Sequence, residues 1–328
     1  RLRWSTATGL LHLGGGSGGV TLLRLPDGVI CLKPQKMNAV SEFFACQLAD
    51  FLGIRVGRMA VVKYRHPEFA QIKQALISAP APFENHRHLA RRHHGKTEFI
   101  GLLEFVPGLS LEGPSAQSLL QRMTLVALQD FWRKTGGLLA MDALINNGDR
   151  LPLLWDNDGN TANVIVQFND ADDSMATVVG IDQAVVAILD HGPGLARYLE
   201  RLAALSRASF RGYAALERDL ADLDNASAAT TRAWCVAAGF HRVQEAMRVS
   251  CGVDVDLEAL MEGLRGALEV IADRWEDGSL QAAIAAVATQ AADVFDCATV
   301  DVGVGHLPQM KDFVAATAGA VARSRTDK

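Results

Sequence analysis

Ile145 to Val166 reads INNGDRLPLLWDNDGNTANVIV, a run of Asn, Asp and Gly set between apolar segments of a chain that is 49% hydrophobic. A surface loop accounts for such a run, since Asn, Asp and Gly suit turns. So does a site where carboxylate and amide oxygens converge on a metal-bound phosphate, because hard cations take oxygen ligands. The flanking sequence favours the second reading. Asp149-Arg150 follows a long helical pattern over Ser118 to Asn146, and Asn163 directly precedes the strand-like Val164-Ile165-Val166. A second apolar strand, Thr177 to Ile181, then delivers Asp182 at its C-terminal end. A loop Asp that can accept a hydroxyl proton, an Asn before a strand and an Asp after the next strand follow the order of a phosphoryl-transfer centre. Asp149 is therefore the candidate base, and Asn163 and Asp182 are the candidate metal ligands.

The partners such a centre needs lie in the first hundred or so residues. Gly14-Gly15-Gly16-Ser17-Gly18-Gly19 separates two predicted strands, Leu10 to Leu13 and Val20 to Leu25, and Gly14, Gly16 and Gly19 satisfy GxGxxG. Without Cβ atoms, the backbone N–H groups of such a loop approach phosphate oxygens closely. A dinucleotide fingerprint needs a helix after the glycines. A strand comes next here, which is the order of a kinase phosphate lid, although a flexible hairpin tip has the same composition. Lys33 ends the third strand, in GVICLKP, where a lysine grips nucleotide phosphates or simply closes a strand. Ser41 to Leu52 spaces its apolar residues helically and stops at Gly53. Its Glu42 is placed to pair with Lys33, and equally suits the first turn of a helix. LLEFVPG, Leu102 to Gly108, reads as a strand ending in a turn, with Glu104, Phe105 and Val106 where a hinge would bond adenine. Glycine loop, Lys, Glu, hinge, Asp, Asn, Asp is an order hard to obtain by accident.

At 328 residues and a formal net charge of -5, the chain holds one large domain or two modest lobes. No half is basic enough for wholesale nucleic-acid binding, and mild acidity favours solubility. Cys31, Cys46, Cys235, Cys251 and Cys297 are scattered and form no CxxC pair, which favours a reducing compartment. No apolar run reaches membrane-spanning length, and RLRWSTATGLLHLGGGSGG has no signal-peptide core, so a cytoplasmic location is expected. The texture changes at Val106-Pro107-Gly108. Before it, short strands surround one helix. After it come helical patterns over Arg197 to Ala221, Ala228 to Val249, Leu257 to Glu276 and Gln281 to Val294, without a sustained heptad. The expected architecture is α+β, a protein kinase-like two-lobe fold. A small antiparallel-sheet N-lobe takes residues 1–107, and a larger, mainly helical C-lobe takes residues 108–328.

The motifs GVICLKP, SEFFACQLADFLGI, LLEFVPGLSL and above all MDALINNGDRLPLLWDNDGNTANVIV running to VVGIDQAV resemble the actin-fragmin kinase family. These are atypical protein kinases whose catalytic core is related to that of the phosphatidylinositol kinases. The resemblance covers roughly Leu10 to Val186. It is most specific in GDRLPLLWDNDGN, with DR in place of HRD and a Trp-containing loop inserted before the metal-binding Asn. It implies Mg2+- and ATP-dependent phosphorylation of Ser or Thr on a protein substrate, with actin bound to a severing partner as the namesake. By position it implies that Lys33 contacts phosphate, Glu42 pairs with it, Asp149 is the base, and Asn163 and Asp182 hold magnesium.

The pattern also departs from ordinary kinases. Asn163 lies well beyond the Asp-to-Asn spacing of HRDxxxxN, which leaves Asn160 as a second candidate ligand. Gln183-Ala184 follows Asp182 where Phe-Gly would complete a DFG switch, and Lys33 stands unusually close to Glu42. From Gln183 to Leu205, Tyr198 is the one hydroxyl-bearing residue, so activation by Ser or Thr phosphorylation there is not expected. A phosphatidylinositol-type lipid kinase shares the DR loop, but the segment after Asp182 lacks the basic cluster that an anionic head group needs. A non-catalytic nucleotide-binding scaffold would keep the fold, and the intact Lys, Asp, Asn, Asp set argues against it. His86, His88, His93 and His94, in HRHLARRHHGK, match no zinc spacing and read as a solvated basic loop. Trp155 reads as packing for the inserted loop, Asp156 and Asp158 as turn formers, and His191 as a surface or capping residue.

Overall fold

The computed structural model describes residues 2–14, 19–35, 38–95, 97–169, 172–188, 192–221, 230–295 and 306–326. Five strands come first in the chain: β1 (Gly9–Leu13), β2 (Val20–Leu25), β3 (Gly28–Gln35), β4 (Met59–Lys63) and β5 (Phe99–Glu104). They form an antiparallel sheet in the order β1-β2-β3-β5-β4. In β2 the residues Thr21, Leu23 and Leu25 are buried while those between them are less so, the period-two pattern of a sheet packed on one face. That face carries Leu10, Leu23, Leu32 and Ile100, which share a core with Trp4, Phe69 and Ile72.

α1 (Ala39–Leu52) follows β3 and ends at Gly53, whose φ of +73° suits glycine. Two further helices, α2 (Pro67–Ser78) and α3 (Glu84–His94), add to the single helix that the sequence pattern suggests for this region. α2 buries Phe69, Ile72, Ala75 and Leu76. Pro67 opens it, where a missing N–H costs nothing, and the His66 ring accepts the Glu68 N–H at 3.3 Å.

α3 overturns the expectation of a solvated loop. Ala90 and His94, one turn apart, are buried, and Arg91 and Arg92 suit the negative end of the helix. The Thr21 hydroxyl bridges His12 Nδ1 at 2.9 Å and His94 Nε2 at 3.2 Å, while His93 stacks on His12 at 5.1 Å. Burial, with His12, His93 and Lys73 adding repulsion, pushes His94 down to about 3. Burial, then His93 and His86, also lowers His12. The unfolded chain therefore holds protons that the native state refuses, so stability is full above the ordinary histidine pKa of 6.5. It falls as pH drops from there towards 3. His94 alone should contribute a slope of about 1.4 kcal/mol per pH unit within that window. Urea midpoints measured at several pH values should show it, and His94→Gln should flatten the slope.

Two compact units divide the chain. The first comprises Arg1–Gln47, Gly57–Val106 and Val287–Leu307; the second comprises Leu48–Val56, Pro107–Ala286 and Pro308–Lys328. A late segment thus belongs with the early sheet. Phe295 meets Phe43 and Phe99, with ring centroids 6.1 and 5.0 Å away, and Lys63 Nζ donates to the Asp293 carbonyl at 2.8 Å.

In the second unit β6 (Leu109–Ser110), β7 (Val164–Asn169) and β8 (Asp172–Gly180) form a small antiparallel sheet. Its helices are α4 (Pro114–Leu120), α5 (Leu125–Ile145), α6 (Pro193–Arg211), α7 (Tyr213–Ala221), α8 (Thr230–Cys251), α9 (Leu257–Glu276), α10 (Ser279–Phe295) and α11 (Leu307–Thr326). α10 runs on into the first unit. The helical pattern of Ser118 to Asn146 is broken before α5, where the Thr124 hydroxyl caps the Ala127 N–H at 3.3 Å. That of Arg197 to Ala221 is broken at Gly212, with φ +82°. α11 adds a helix to those that the sequence pattern suggests, and its Thr317 hydroxyl donates to the Leu144 carbonyl of α5 at 2.9 Å.

α5 and α9 cross backbone to backbone. A Cβ on Gly136 would stand 2.0 Å from the Leu260 carbonyl oxygen, and one on Gly263 would stand 1.8 Å from that of Arg133. The sheet-first, helix-rich second arrangement is the α+β, kinase-like two-lobe class. Among the described residues no helix is long and apolar enough to cross a membrane.

Candidate active site

α5 stops at Asn146, which takes left-handed φ/ψ of 57° and 37° and returns its N–H to the Asp142 carbonyl. The next residues fold back under that same helix. Asn147 Nδ2 donates to Asp142 Oδ1 at 2.9 Å, and Arg150 Nη1 donates to the same oxygen. The side chains of Arg150 and Asp142 are both 0% exposed. The rest of the guanidinium fork is also used: Nε donates to the Asn163 carbonyl at 3.2 Å and Nη2 to the Ile181 carbonyl at 2.9 Å.

The β7–β8 register explains why distant residues meet here. Val164 pairs with Gly180, so the residue entering β7 and the residues leaving β8 share one end of the hairpin. Ile181 N–H donates to the Asn163 carbonyl at 3.0 Å. Asn163 Nδ2 then donates to Asp149 Oδ2 at 2.8 Å. Asp149 and Asp182 are exposed, whereas Asn163 is buried. Asp182 holds a φ of +56°, uncommon outside glycine.

Part of the stretch from Ile145 to Val166 is a braced loop. Asn146 accepts the Trp155 indole N–H at 2.8 Å, and Asn157 donates to the Gly148 carbonyl at 2.6 Å. A Cβ on Gly148 would lie 2.8 Å from Trp155 Cγ, so the indole needs a glycine beneath it. These amides brace the inserted loop. Asp156 reaches Arg242 at 3.2 Å. Exposed Asn160 uses its backbone, donating to the Arg150 carbonyl at 3.1 Å and accepting the Asn163 N–H at 3.0 Å. Of the two candidate amides, Asn163 is the one bonded to Asp149.

Beyond Asp182 the chain returns to α5. Val186 N–H donates to the Ile145 carbonyl at 3.0 Å, and Asn146 Nδ2 donates to the Val186 carbonyl at 2.8 Å. Tyr198 is buried with its hydroxyl donating to the Ala143 carbonyl, and burial holds the phenol above its usual range. The single hydroxyl of this segment is therefore a structural contact. His191 lies outside the described residues.

Within the first unit, Lys33 Nζ donates to Glu42 Oε1 at 2.8 Å, with side chains 20% and 11% exposed. The short sequence separation suffices because Lys33 sits near the end of β3 and Glu42 sits in the first turn of α1. Of the glycine loop, Gly14 and Gly19 are described, and Gly16, Ser17 and Gly18 lie outside the described residues. Gly19 has φ +66°, and a Cβ there would stand 2.8 Å from both His12 Nε2 and the Leu13 carbonyl. At the hinge position, the Glu104 N–H donates to the Arg58 carbonyl at 2.9 Å and its Oε2 accepts the Arg58 N–H at 3.2 Å. Phe105 is exposed and Val106 partly so. A pocket of about 390 Å³ bounded by Leu2, Leu25, Ile30, Leu102 and Phe105 opens at this end of the sheet. Lys33 does not line it.

Residues 1–189, more than half of the chain, match the catalytic-domain family of actin-fragmin kinase. The chain belongs to the actin-fragmin kinase family. Membership makes it a kinase, a transferase. No curated protein matches the chain.

Kinases of this kind usually employ Mg2+, and the donor chemistry of the second unit fits that ion. Asn163 and Asp182 offer oxygen atoms, and among the described residues no group of three or more His, Cys, Asp or Glu converges to hold a metal unaided. Mg2+ takes oxygen ligands from one or two carboxylates together with substrate phosphates and water. Sequence reasoning missed the kinase's Asp142 and Asn147, the reach of Arg150, and Gly180, on which a Cβ would lie 3.0 Å from Arg150 Nη2. One signal was available: Asp142 interrupts the apolar run MDALI in mid-helix, and a lone carboxylate there needs a buried partner.

Proposed function

We propose that this chain transfers the γ-phosphate of ATP to Ser or Thr of a protein substrate, and that the substrate is actin or an actin complex. The reading rests on the junction of Asp149 with Asn163 at the end of the β7–β8 hairpin from which Asp182 emerges. The exposed Asp149 carboxylate accepts the proton of the acceptor hydroxyl, and the Asn163 amide on Oδ2 fixes its orientation. The hydroxyl oxygen forms the new bond to phosphorus as the bond to the β-phosphate oxygen breaks and ADP leaves. Lys33, held by Glu42, contacts the phosphates, together with backbone N–H groups of the Gly14 to Gly19 loop. Because the Glu104 N–H is engaged with Arg58, backbone groups of Phe105 and Val106 are left to bond adenine. Magnesium, held by Asn163 and Asp182, would neutralise charge on the transferring phosphate.

Actin comes from the family's name, and free thiols at Cys31, Cys46 and Cys251 suit a cytoplasmic setting. The test is incubation with γ-labelled ATP and magnesium, offering actin alone, actin with a severing protein, and phosphatidylinositol vesicles in parallel. Label on Ser or Thr of actin is expected, reduced at least about 100-fold by Lys33→Ala. Label on lipid alone, or ATP binding without transfer to any acceptor, would overturn the reading.

A further inference from the structure

Arg150 stands next to the candidate base yet points away from solvent, and a wholly buried guanidinium is rare. Its three described acceptors belong to three separate segments. Asp142 Oδ1 is on α5, the Asn163 carbonyl enters β7, and the Ile181 carbonyl leaves β8. Two of these carbonyls lie at, or one residue before, a candidate magnesium ligand. The third contact ties the fork to the helix from which the Asp149 loop departs. Gly180 makes the arrangement possible, since a methyl there would press on Arg150 Nη2 at 3.0 Å and Leu138 Cδ1 at 2.7 Å.

We propose that Arg150 is the positioning residue of the phosphoryl-transfer centre, its planar fork setting the spacing between Asp149, Asn163 and Asp182 and so the affinity for magnesium. This rests on the proposed kinase reading of the same site. A guanidinium offers donors in a rigid plane, which a lysine ammonium cannot reproduce. A residue that merely filled space, or merely neutralised Asp142, would leave the magnesium requirement untouched when replaced by a cation of similar length. Groups that orient metal ligands, by contrast, typically carry a 10- to 100-fold share of metal affinity, so an effect of roughly that size is expected here.

Arg150→Lys is the reporting variant, because it retains a positive charge beside Asp142 while surrendering the fork. It should remain folded at the assay temperature with a lowered unfolding midpoint, since the Ile181 carbonyl loses its donor. It should need about 10-fold more magnesium for half-maximal rate and show kcat reduced about 10- to 100-fold. The KM for ATP at saturating magnesium should stay within about threefold, since the groups proposed to hold the nucleotide are untouched. Calorimetric titration of ATP with and without magnesium supplies a readout independent of turnover, and the gain in affinity from magnesium should shrink about 10-fold in the variant. Gly180→Ala should produce the same shift, with the arginine still present but displaced. A wild-type magnesium midpoint in folded Arg150→Lys overturns the positioning role and leaves the kinase reading intact. Wild-type protein that transfers no phosphate, with the calorimetric loss still present in Arg150→Lys, overturns the kinase reading and leaves the positioning role intact.

Discussion

Asp149→Asn should lower kcat by about 10²- to 10⁴-fold, the usual share of a positioned general base. Asparagine matches aspartate in shape and still presents an oxygen to the Asn163 amide, which bonds Asp149 Oδ2 at 2.8 Å. The geometry of the loop should therefore survive while the ability to take a proton is lost. Asp149 is exposed and stands outside the buried Asp142–Arg150 pair, so the thermal midpoint should barely move. The KM for ATP should also hold, because Asp149 is assigned to the acceptor hydroxyl and not to the nucleotide. Steady-state kinetics with saturating protein substrate measure both parameters. A variant retaining half or more of wild-type turnover would remove Asp149 from the mechanism.

Asp142→Ala should destabilise the fold by about 3–5 kcal/mol, the cost of leaving one member of a buried ion pair without its partner. Arg150 has no exposure to solvent, so its positive charge would be left buried and unpaired. The Asn147 amide would lose its acceptor as well. Against a typical total of about 5–15 kcal/mol, such a loss shows plainly in a urea titration. The double variant Asp142→Leu with Arg150→Met should recover most of it, since well-packed apolar residues often replace a buried pair without loss. It should nevertheless remain a poor kinase, because the Asn163 and Ile181 carbonyls would have lost the fork that spaces them. A single variant losing less than about 1 kcal/mol would place Arg150 in contact with water, contrary to its burial.

The elements legible in the sequence were those with a clean period and a clear stop. Leu257–Glu276 forms a helix over the whole span its pattern predicts, opened by Asp256, whose side chain accepts the Ala259 N–H. Val20–Leu25 alternates as a one-faced strand must. The run from His86 misled because basic, histidine-rich composition resembles a solvated loop. Its helix depends instead on Ala90 and His94 fitting against a sheet whose Thr21 supplies the hydroxyl. Asp149, Asn163 and Asp182 stood out as candidates because each sits at an element boundary, where the chain can aim a side chain without breaking a ladder. The Asn147 and Arg150 contacts could not, because their meaning lies in acceptors on other segments.

By itself, the sequence determined the antiparallel sheet, the helical character of the later segments and the order of the chemistry-bearing residues, since alternation, helical spacing and turn residues act over a few neighbours. Only the tertiary structure decided that Arg150 is buried against Asp142, Asn163 and Ile181, and that Phe295 packs with Phe43 and Phe99. Period reveals which face of an element avoids water. It carries no record of which distant segment covers that face, and that choice is made by the shape and charge of the whole fold.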